Sequence, residues 1–570
     1  MSQTFQIYLV RLLIATTLFT GTMFSQHHPD LQAFSYDFFS WRAITQPATS
    51  DDINRVERPV GWVPDYSPES LVKHKQRYQD FRSRLSSISR QGWSRSDSVD
   101  YLLLHSAVER VNWELNVLRL PERNPDFYIH QTLGILFELL LIHSPITDRR
   151  AKNLLIRFQS IPNTLKHARK NLTDPVDAFA DIAIANGDDI RKKLVNGANA
   201  LQPVIDGNLH RSLTKAADNA AHALEDYLSW LVDEQPGMSN KFSVGREQYE
   251  YFLNHIALIP YDPDQLLLMG AQEWDRSVSF YEYELKRNEG LVESRYFRSA
   301  KAQISRSKRD ESSIRRFLEK KGIMSVPEWL QHYKNLPVPP WLAPLSHMGV
   351  NDDLTSETRL QEDAVSYIPD PGPDLPYFYR SSAQDPRPII IHEGVPGHYF
   401  QLAISWANKN PIRRRFFDSG SIEGIGFYVE ELMLQHGLFE DRPRTREIIY
   451  SFMRLRALRV DVDIKLALGI YSIEGAARYL EETVPMDYET ALWEARFFSL
   501  TPGQAISYQI GKLQIMNLIT DARIKLGDKF DLRHYHDYMM ENGNVPIALQ
   551  RWEYLEEADD FHKLWSYKSE

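Results

Sequence analysis

The stretch Ile389-Ile-Ile-His-Glu-Gly-Val-Pro-Gly-His398, followed by Ile422-Glu-Gly-Ile-Gly-Phe-Tyr-Val-Glu430, gathers residue types that hydrolytic chemistry uses. It holds two histidines, His392 and His398, with Glu393 beside the first and the carboxylates Glu423 and Glu430 on a separate segment. A hydrolytic zinc site needs three protein ligands, one open position for water and a nearby base. Neutral imidazoles and one carboxylate hold such an ion without cancelling its positive charge. Water on a metal so held has a pKa near neutrality, and Glu393 is the candidate to accept its proton.

The spacing departs from H-E-x-x-H, in which histidines four apart share a helical face. His392 and His398 are six apart, which on a regular helix rotates the second ring by about 240° from the first. Pro396 has no N–H for the preceding turn and Gly397 tolerates unusual dihedrals, so a bulge at this pair is expected to return His398 to the metal. The competing reading is a strand that ends in a Pro-Gly turn and leaves His398 exposed. On the second segment, Glu423 and Glu430 are seven apart and share a face if residues 422–435 are helical. Ser421 is the expected N-cap, with Glu423 in the first turn. Glycines 424 and 426 leave room for another chain or a substrate to approach, and Glu431 reads as a solvated surface carboxylate.

Glu-Gly-x-x-x-Tyr-x-Glu resembles the segment that supplies the glutamate ligand in aminopeptidase N-like gluzincins, which implies Glu423 rather than Glu430 as the third ligand. A wider resemblance is to the bacterial family catalogued as domain of unknown function 885. Its marks stand here as His392–His398, Glu423–Glu430, Pro502-Gly-Gln-Ala-Ile-Ser-Tyr-Gln-Ile-Gly511 and Phe530-Asp-Leu-Arg533 with His536-Asp537. They extend over residues 360–550, and Asn124-Pro-Asp-Phe-Tyr128 carries the likeness upstream. The resemblance implies a helical, metallopeptidase-like superdomain with its active site in a central cleft, one Zn2+ per chain, and a peptide or amide substrate. It also implies that Tyr508 hydrogen-bonds a developing oxyanion, where the plain alternative is a core tyrosine. Two positions depart from the family. Tyr399 stands where a histidine often follows the motif, and Ala467 stands where the family often has a histidine.

Other residues could support such a site. Asp461 and Asp463 would orient a metal-bound imidazole or pair with Arg456 and Arg459. Arg496 and Gln504 would bind a substrate carboxylate or backbone.

The elements that must position these residues read as helices, and strand alternation is rare, so the fold class is mainly α. Residues 99–118, 174–196, 213–232 and 263–289 each carry helical periodicity, as do 151–171 with a break or kink expected at Pro162. Leu104, Val108, Val111, Leu115 and Leu118 form one apolar core stripe. Residues 133–143 read as a buried core helix. The Pro-rich stretches 337–341 and 367–376 read as long loops at the mouth of the site, and the basic stretch 305–316 as a solvated helix face.

At 570 residues the chain divides into a signal peptide or N-terminal anchor over 1–25, a helical region over 26–345 and a catalytic metal-binding region over 346–570. Apolar content of 43% and charged content of 25% are those of a globular protein. A net charge of −10 without a long basic run argues against nucleic-acid binding. Residues 5–24 form an apolar segment read as a signal peptide cleaved after Ser25, with an inner-membrane anchor as the alternative. The location implied is periplasmic or secreted. With no cysteines, disulfides and thiolate ligands are excluded. The function expected is an exported zinc metallohydrolase that cleaves peptide or amide bonds. The alternatives are an iron 2-His-1-carboxylate enzyme and a metal- or peptide-binding pseudoenzyme, the latter suggested by Tyr399 and Ala467.

Overall fold

The computed structural model describes residues 28–49 and 56–566. The apolar segment 5–24 and its expected cleavage site lie outside them. Among the described residues, no helix is long and apolar enough to cross a membrane. The architecture is mainly α, with one small sheet.

Caps set many of the helix starts. Ser94 and Asp97 form a reciprocal capping box for Arg95–Asn112, which then relaxes into a π-helical turn at Trp113–Val117. Asp262 and Gln265 do the same for Pro263–Arg287, whose first turn takes Pro263 without losing a needed donor. The expected core stretch 133–143 is a π-helical turn, His130–Gly134, continued by the buried helix Ile135–Leu141.

Three expectations about elements need correction. The helix Asp148–Asn171 continues unbroken through Pro162. A proline removes one backbone bond, and buried Phe158, Ile161 and Leu165 hold the helix to the core on both sides of it. Residues 174–196 form two helices, Asp177–Asn186 and Ile190–Ala200, because Asp189 takes a left-handed conformation (φ 51°) that ends the first and starts the second. The Pro-rich stretches begin as strand and only then become loop, over 338–340 and 369–376. Pro337 closes strand β1 (Tyr333–Pro337), and Tyr367 and Ile368 close β3 (Ala364–Ile368). With β2 (Asp352–Asp353) they make a sheet of order β1-β3-β2, β1 parallel and β2 antiparallel to β3. Pro337 is tolerated because β1 is an edge strand. The basic stretch 305–316 does lie on a helix, Ala300–Lys321, where Arg306 and Arg315 pair with Asp310 and Glu311 one turn away.

One apolar cluster runs from Leu31 to Leu258 and takes in Ile412, Phe416, Val545 and Leu549 from late in the chain. A second gathers Ile390, Phe400, Phe427, Ile515 and Tyr535 around the histidine motif. Six helices carry or frame that motif. They are α1 (Pro263–Arg287), α2 (His398–Ala407), α3 (Ser419–Gln435), α4 (Pro443–Ala467), α5 (Tyr488–Leu500) and α6 (Ile506–Leu526). Helices α3 and α6 cross at glycine. A Cβ on Gly511 would fall 2.1 Å from the Gly420 carbonyl oxygen and 2.8 Å from the Gly424 Cα. Gly424 therefore admits a neighbouring helix, not a substrate.

Candidate metal centre

The histidine motif is not one distorted helix. Residues Ile390–Gly394 form a π-helical turn, Val395 is extended, the Val395–Pro396 peptide is cis, and His398 opens the new helix α2. The bulge expected at Pro396-Gly397 is thus a full change of helix. Gly397 is required by proximity, since its φ is an ordinary −82°. A Cβ there would lie 1.8 Å from the His392 carbonyl oxygen. His398 is buried, not exposed as the strand reading would have it.

The two imidazoles meet edge to face, with ring centres 4.6 Å apart. Glu423 lies between them. Its Oε2 is 3.5 Å from His392 Nε2 and 3.3 Å from His398 Nε2. Helix α3 brings Glu423 there through Gly426, against which both rings rest: an added Cβ would stand 2.7 Å from His398 Cε1 and 3.0 Å from His392 Cε1. The N-cap of α3 is Asp418, which accepts from the Ser421 N–H, so Ser421 is not the cap and Glu423 lies beyond the first turn. Ser421 is buried and accepts from Gln401 Nε2 instead.

Neither ring nitrogen of His398 and neither oxygen of Glu423 has a hydrogen-bond partner, though all are buried. Leaving such groups unmet is unfavourable. A divalent cation on His392, His398 and Glu423 would satisfy them, and two imidazoles with one carboxylate are a donor set that suits zinc. The carboxylate of Glu393 also comes within 4.8 Å of the two histidines' nitrogens. Of the two carboxylates, Glu423 is buried between the rings, whereas Glu393 is partly exposed and faces the adjoining cavity. Burial and Arg456 both disfavour a charged His392, but Glu423 and Glu430 outweigh them and push its pKa up to about 9. Burial likewise opposes ionisation of Glu423, yet the two histidines hold it well below the usual carboxylate range. A metal bound there would take the place of the proton that His392 otherwise holds.

The partner of His392 came from a residue that the sequence left without a role. Glu430 Oε1 lies 2.7 Å from His392 Nδ1 and 2.9 Å from Arg456, and all three are buried. The expected partners, Asp461 and Asp463, do other work. Asp461 pairs with Lys465 at 2.8 Å. Asp463 accepts the backbone N–H groups of Gly503, Ala505 and Ile506 and the hydroxyl of Tyr249, and burial pushes its pKa up to about 7 despite them. It holds the turn that starts α6 and so aims Tyr508. Arg459 pairs with Glu494, not with either aspartate.

A cavity of about 60 Å³ adjoins the group. Glu393, Tyr508 and Arg459 line it, with Val350 and the α5 aromatics Trp493, Phe497 and Phe498. The Tyr508 ring lies nearly parallel to that of His392 (12°, centres 6.2 Å apart), and the Arg459 guanidinium sits 4.5 Å from its centre. Trp493 is 44% exposed, which puts the cavity mouth at α5. Neither family departure reaches the cavity. Tyr399 turns into the core around the motif, and Ala467 packs with Tyr249 and Ile464. Arg496 and Gln504 do not line it either. Glu431 is no solvated carboxylate: it is buried between Arg276 (2.8 Å) and Lys512 (2.7 Å), which hold its pKa down to about 2 against burial. The late motif is a buttress. His536 accepts from the Tyr428 hydroxyl (2.8 Å) and faces the Ile323 carbonyl with its other nitrogen, while Asp537 binds Ser325.

The architecture is shared with solved structures. One, from Shewanella oneidensis and described as "a putative lipoprotein of unknown function", is 16% identical over 92% of this chain and 99% of its own, with a TM-score of 0.69. Another, "the putative lipoprotein from Colwellia psychrerythraea", is 16% identical over 94% and 97%, with a TM-score of 0.71. At such identity the likeness is one of fold. No curated protein matches the chain. The family profile "Bacterial protein of unknown function (DUF885)" matches residues 56–320 and 382–552. With the profile matched over most of its length, the chain belongs to the DUF885 family.

Proposed function

We propose that the protein is an exported zinc-dependent metallohydrolase that cleaves peptide or amide bonds. The observation that carries this reading is the convergence of His392 Nε2 and His398 Nε2 on one oxygen of Glu423, all buried, with His398 and Glu423 lacking hydrogen-bond partners. His392, His398 and Glu423 would hold one zinc ion, which when bound supplies Lewis acidity and a water of lowered pKa. Glu430, backed by Arg456, keeps His392 in the orientation that presents Nε2. Glu393, at the cavity wall, takes the proton of the attacking water and returns it to the leaving nitrogen. The Tyr508 hydroxyl donates to the carbonyl oxygen as negative charge builds there.

Glu393 beside the ligand pair has a use in hydrolysis and none in the iron-oxygenase reading of the same trio. Tyr399 and Ala467, the residues that suggested a pseudoenzyme, lie outside the cavity lining. The apolar segment 5–24 supports export, as do two solved structures of this fold, each described as a "putative lipoprotein". The test is turnover of a mixed peptide library by zinc-loaded protein, followed by mass spectrometry. Cleavage by wild type and its loss in Glu393→Gln is the expected result. Equal cleavage by both would refute the role of Glu393, and no cleavage of any peptide or amide would refute the function.

A further inference from the structure

Helix α5 turns an aromatic face toward the metal centre. Trp493 and Phe497, four apart, stack with ring centres 5.5 Å apart and planes 15° from parallel, and Phe498 tilts against Phe497 at the same distance. All three line the cavity beside His392, His398 and Glu423. Phe497 and Phe498 are buried, whereas Trp493 keeps 44% of its surface in solvent, so its indole forms the outer wall at the mouth. A larger cavity, about 460 Å³, lies between the N-terminal helices and the starts of α3 and α6 and shares no lining residue with this one. Selection next to the metal therefore falls to the small cavity's own wall.

At about 60 Å³ this cavity has room for a few water molecules. A reacting carbonyl and its adjoining atoms suit that space, and a large side chain on the same residue must lie outside it, at the mouth. The charges in the wall are already engaged. Arg459 donates from Nε to the buried carboxylate of Glu494 at 3.0 Å and from Nη2 to its other oxygen. The rings of Tyr508, Phe498 and Phe378 cover its guanidinium at 4.5, 5.5 and 5.8 Å. The Glu393 carboxylate is directed at the histidine pair, within 4.8 Å of their nitrogens. Neither charge is left over to select an acidic or a basic side chain. What the mouth offers is the face of an indole, which favours apolar contact and another ring above all.

We propose that Trp493 sets substrate preference: the side chain of the residue flanking the scissile carbonyl lies on its indole face, so the protein selects peptides with an aromatic or large aliphatic residue there. The proposal rests on the hydrolase reading for what enters the cavity, and its test reads binding, not turnover. Zinc-loaded protein is titrated calorimetrically with the acetyl hydroxamates of phenylalanine, leucine, alanine, glutamate and lysine, whose hydroxamate group chelates the metal in place of the scissile carbonyl. The phenylalanine and leucine probes should bind wild type about ten-fold more tightly than the alanine probe, and the glutamate and lysine probes more weakly than either. In Trp493→Ala the phenylalanine-to-alanine ratio should fall to within about two-fold, and Trp493→Phe, which keeps a ring, should retain most of it. Trp493 is half in solvent, so both variants should fold. Equal binding of the phenylalanine and alanine probes by wild type, a ratio unchanged in Trp493→Ala, or a charged probe bound as tightly as phenylalanine would overturn the proposal. So would zinc-containing protein that binds none of the probes. Wild type that cleaves no peptide yet keeps the preference would count against hydrolysis alone, whereas protein that takes up no zinc would bring the subsite down with the metal centre.

Discussion

Glu423 and Glu430 share a face of α3 and address the same imidazole at its two different nitrogens. In the proposed centre one residue is a ligand and the other fixes the ligand, and the separation predicts different losses. Glu430→Gln should keep the fold and weaken zinc binding by ~10–100-fold, as is usual when the partner of a ligating histidine is lost. Chelator competition measures this, and unchanged affinity would remove Glu430 from the account. Glu393→Gln should keep the metal and lose roughly 10²–10⁴-fold in turnover, the usual share of a general base. Zinc loss in that variant would make Glu393 a ligand. That His392, His398 and Glu423 come together was legible in the sequence, because metal chemistry restricts its ligands to few residue types. The role of Glu430 was not, because a helical wheel places two carboxylates on one face without saying which ring nitrogen each meets. Arg456 comes from a different helix, and no local pattern announces it. Glu431 was misread for the same reason: its partners, Arg276 and Lys512, lie on α1 and α6.

Helical periodicity located most elements, since amphipathic stripes record which face meets a core. It missed what depends on approach between elements. The sequence Pro-Gly suggested a bulge, whereas the chain changes helix there, with Gly397 pressed against the His392 carbonyl. Gly397→Ala alone should then displace His398 and abolish tight zinc binding, and a metal titration showing wild-type affinity would contradict it. The α3–α6 crossing makes a parallel prediction at Gly511, where alanine should lower the melting temperature and loosen the Tyr508 side of the site. The Glu431 network ties α1, α3 and α6 together and has a pH signature. Its folded pKa of about 2 lies below its ordinary 4.5, so its stabilisation is present above about 4.5 and is lost as pH falls through about 2. A shift of that size corresponds to about 3 kcal/mol. Melting curves of wild type and Glu431→Gln should differ at pH 6 and converge as pH falls toward 2. A constant difference would mean that the carboxylate charge is not what stabilises the junction.

At the scale of the whole chain, residues far apart in sequence build one body. Arg413 alone joins Asp100 to Glu553, and Ser325 is bound by Asp537. Such contacts follow from topology, which a single sequence does not display, and the large cavity between the N-terminal helices and α3 was equally hidden. Export is expected to leave the mature protein in the cell envelope or the medium without Met1, and fractionation with N-terminal sequencing tests this. Recovery in the cytoplasm with Met1 intact would contradict it. The account as a whole depends on the metal. Zinc-loaded, desalted protein should contain about one zinc per chain by elemental analysis, and His392→Ala, folded by circular dichroism, should contain almost none. No zinc in the wild type, or equal zinc in the variant, would contradict the metal centre.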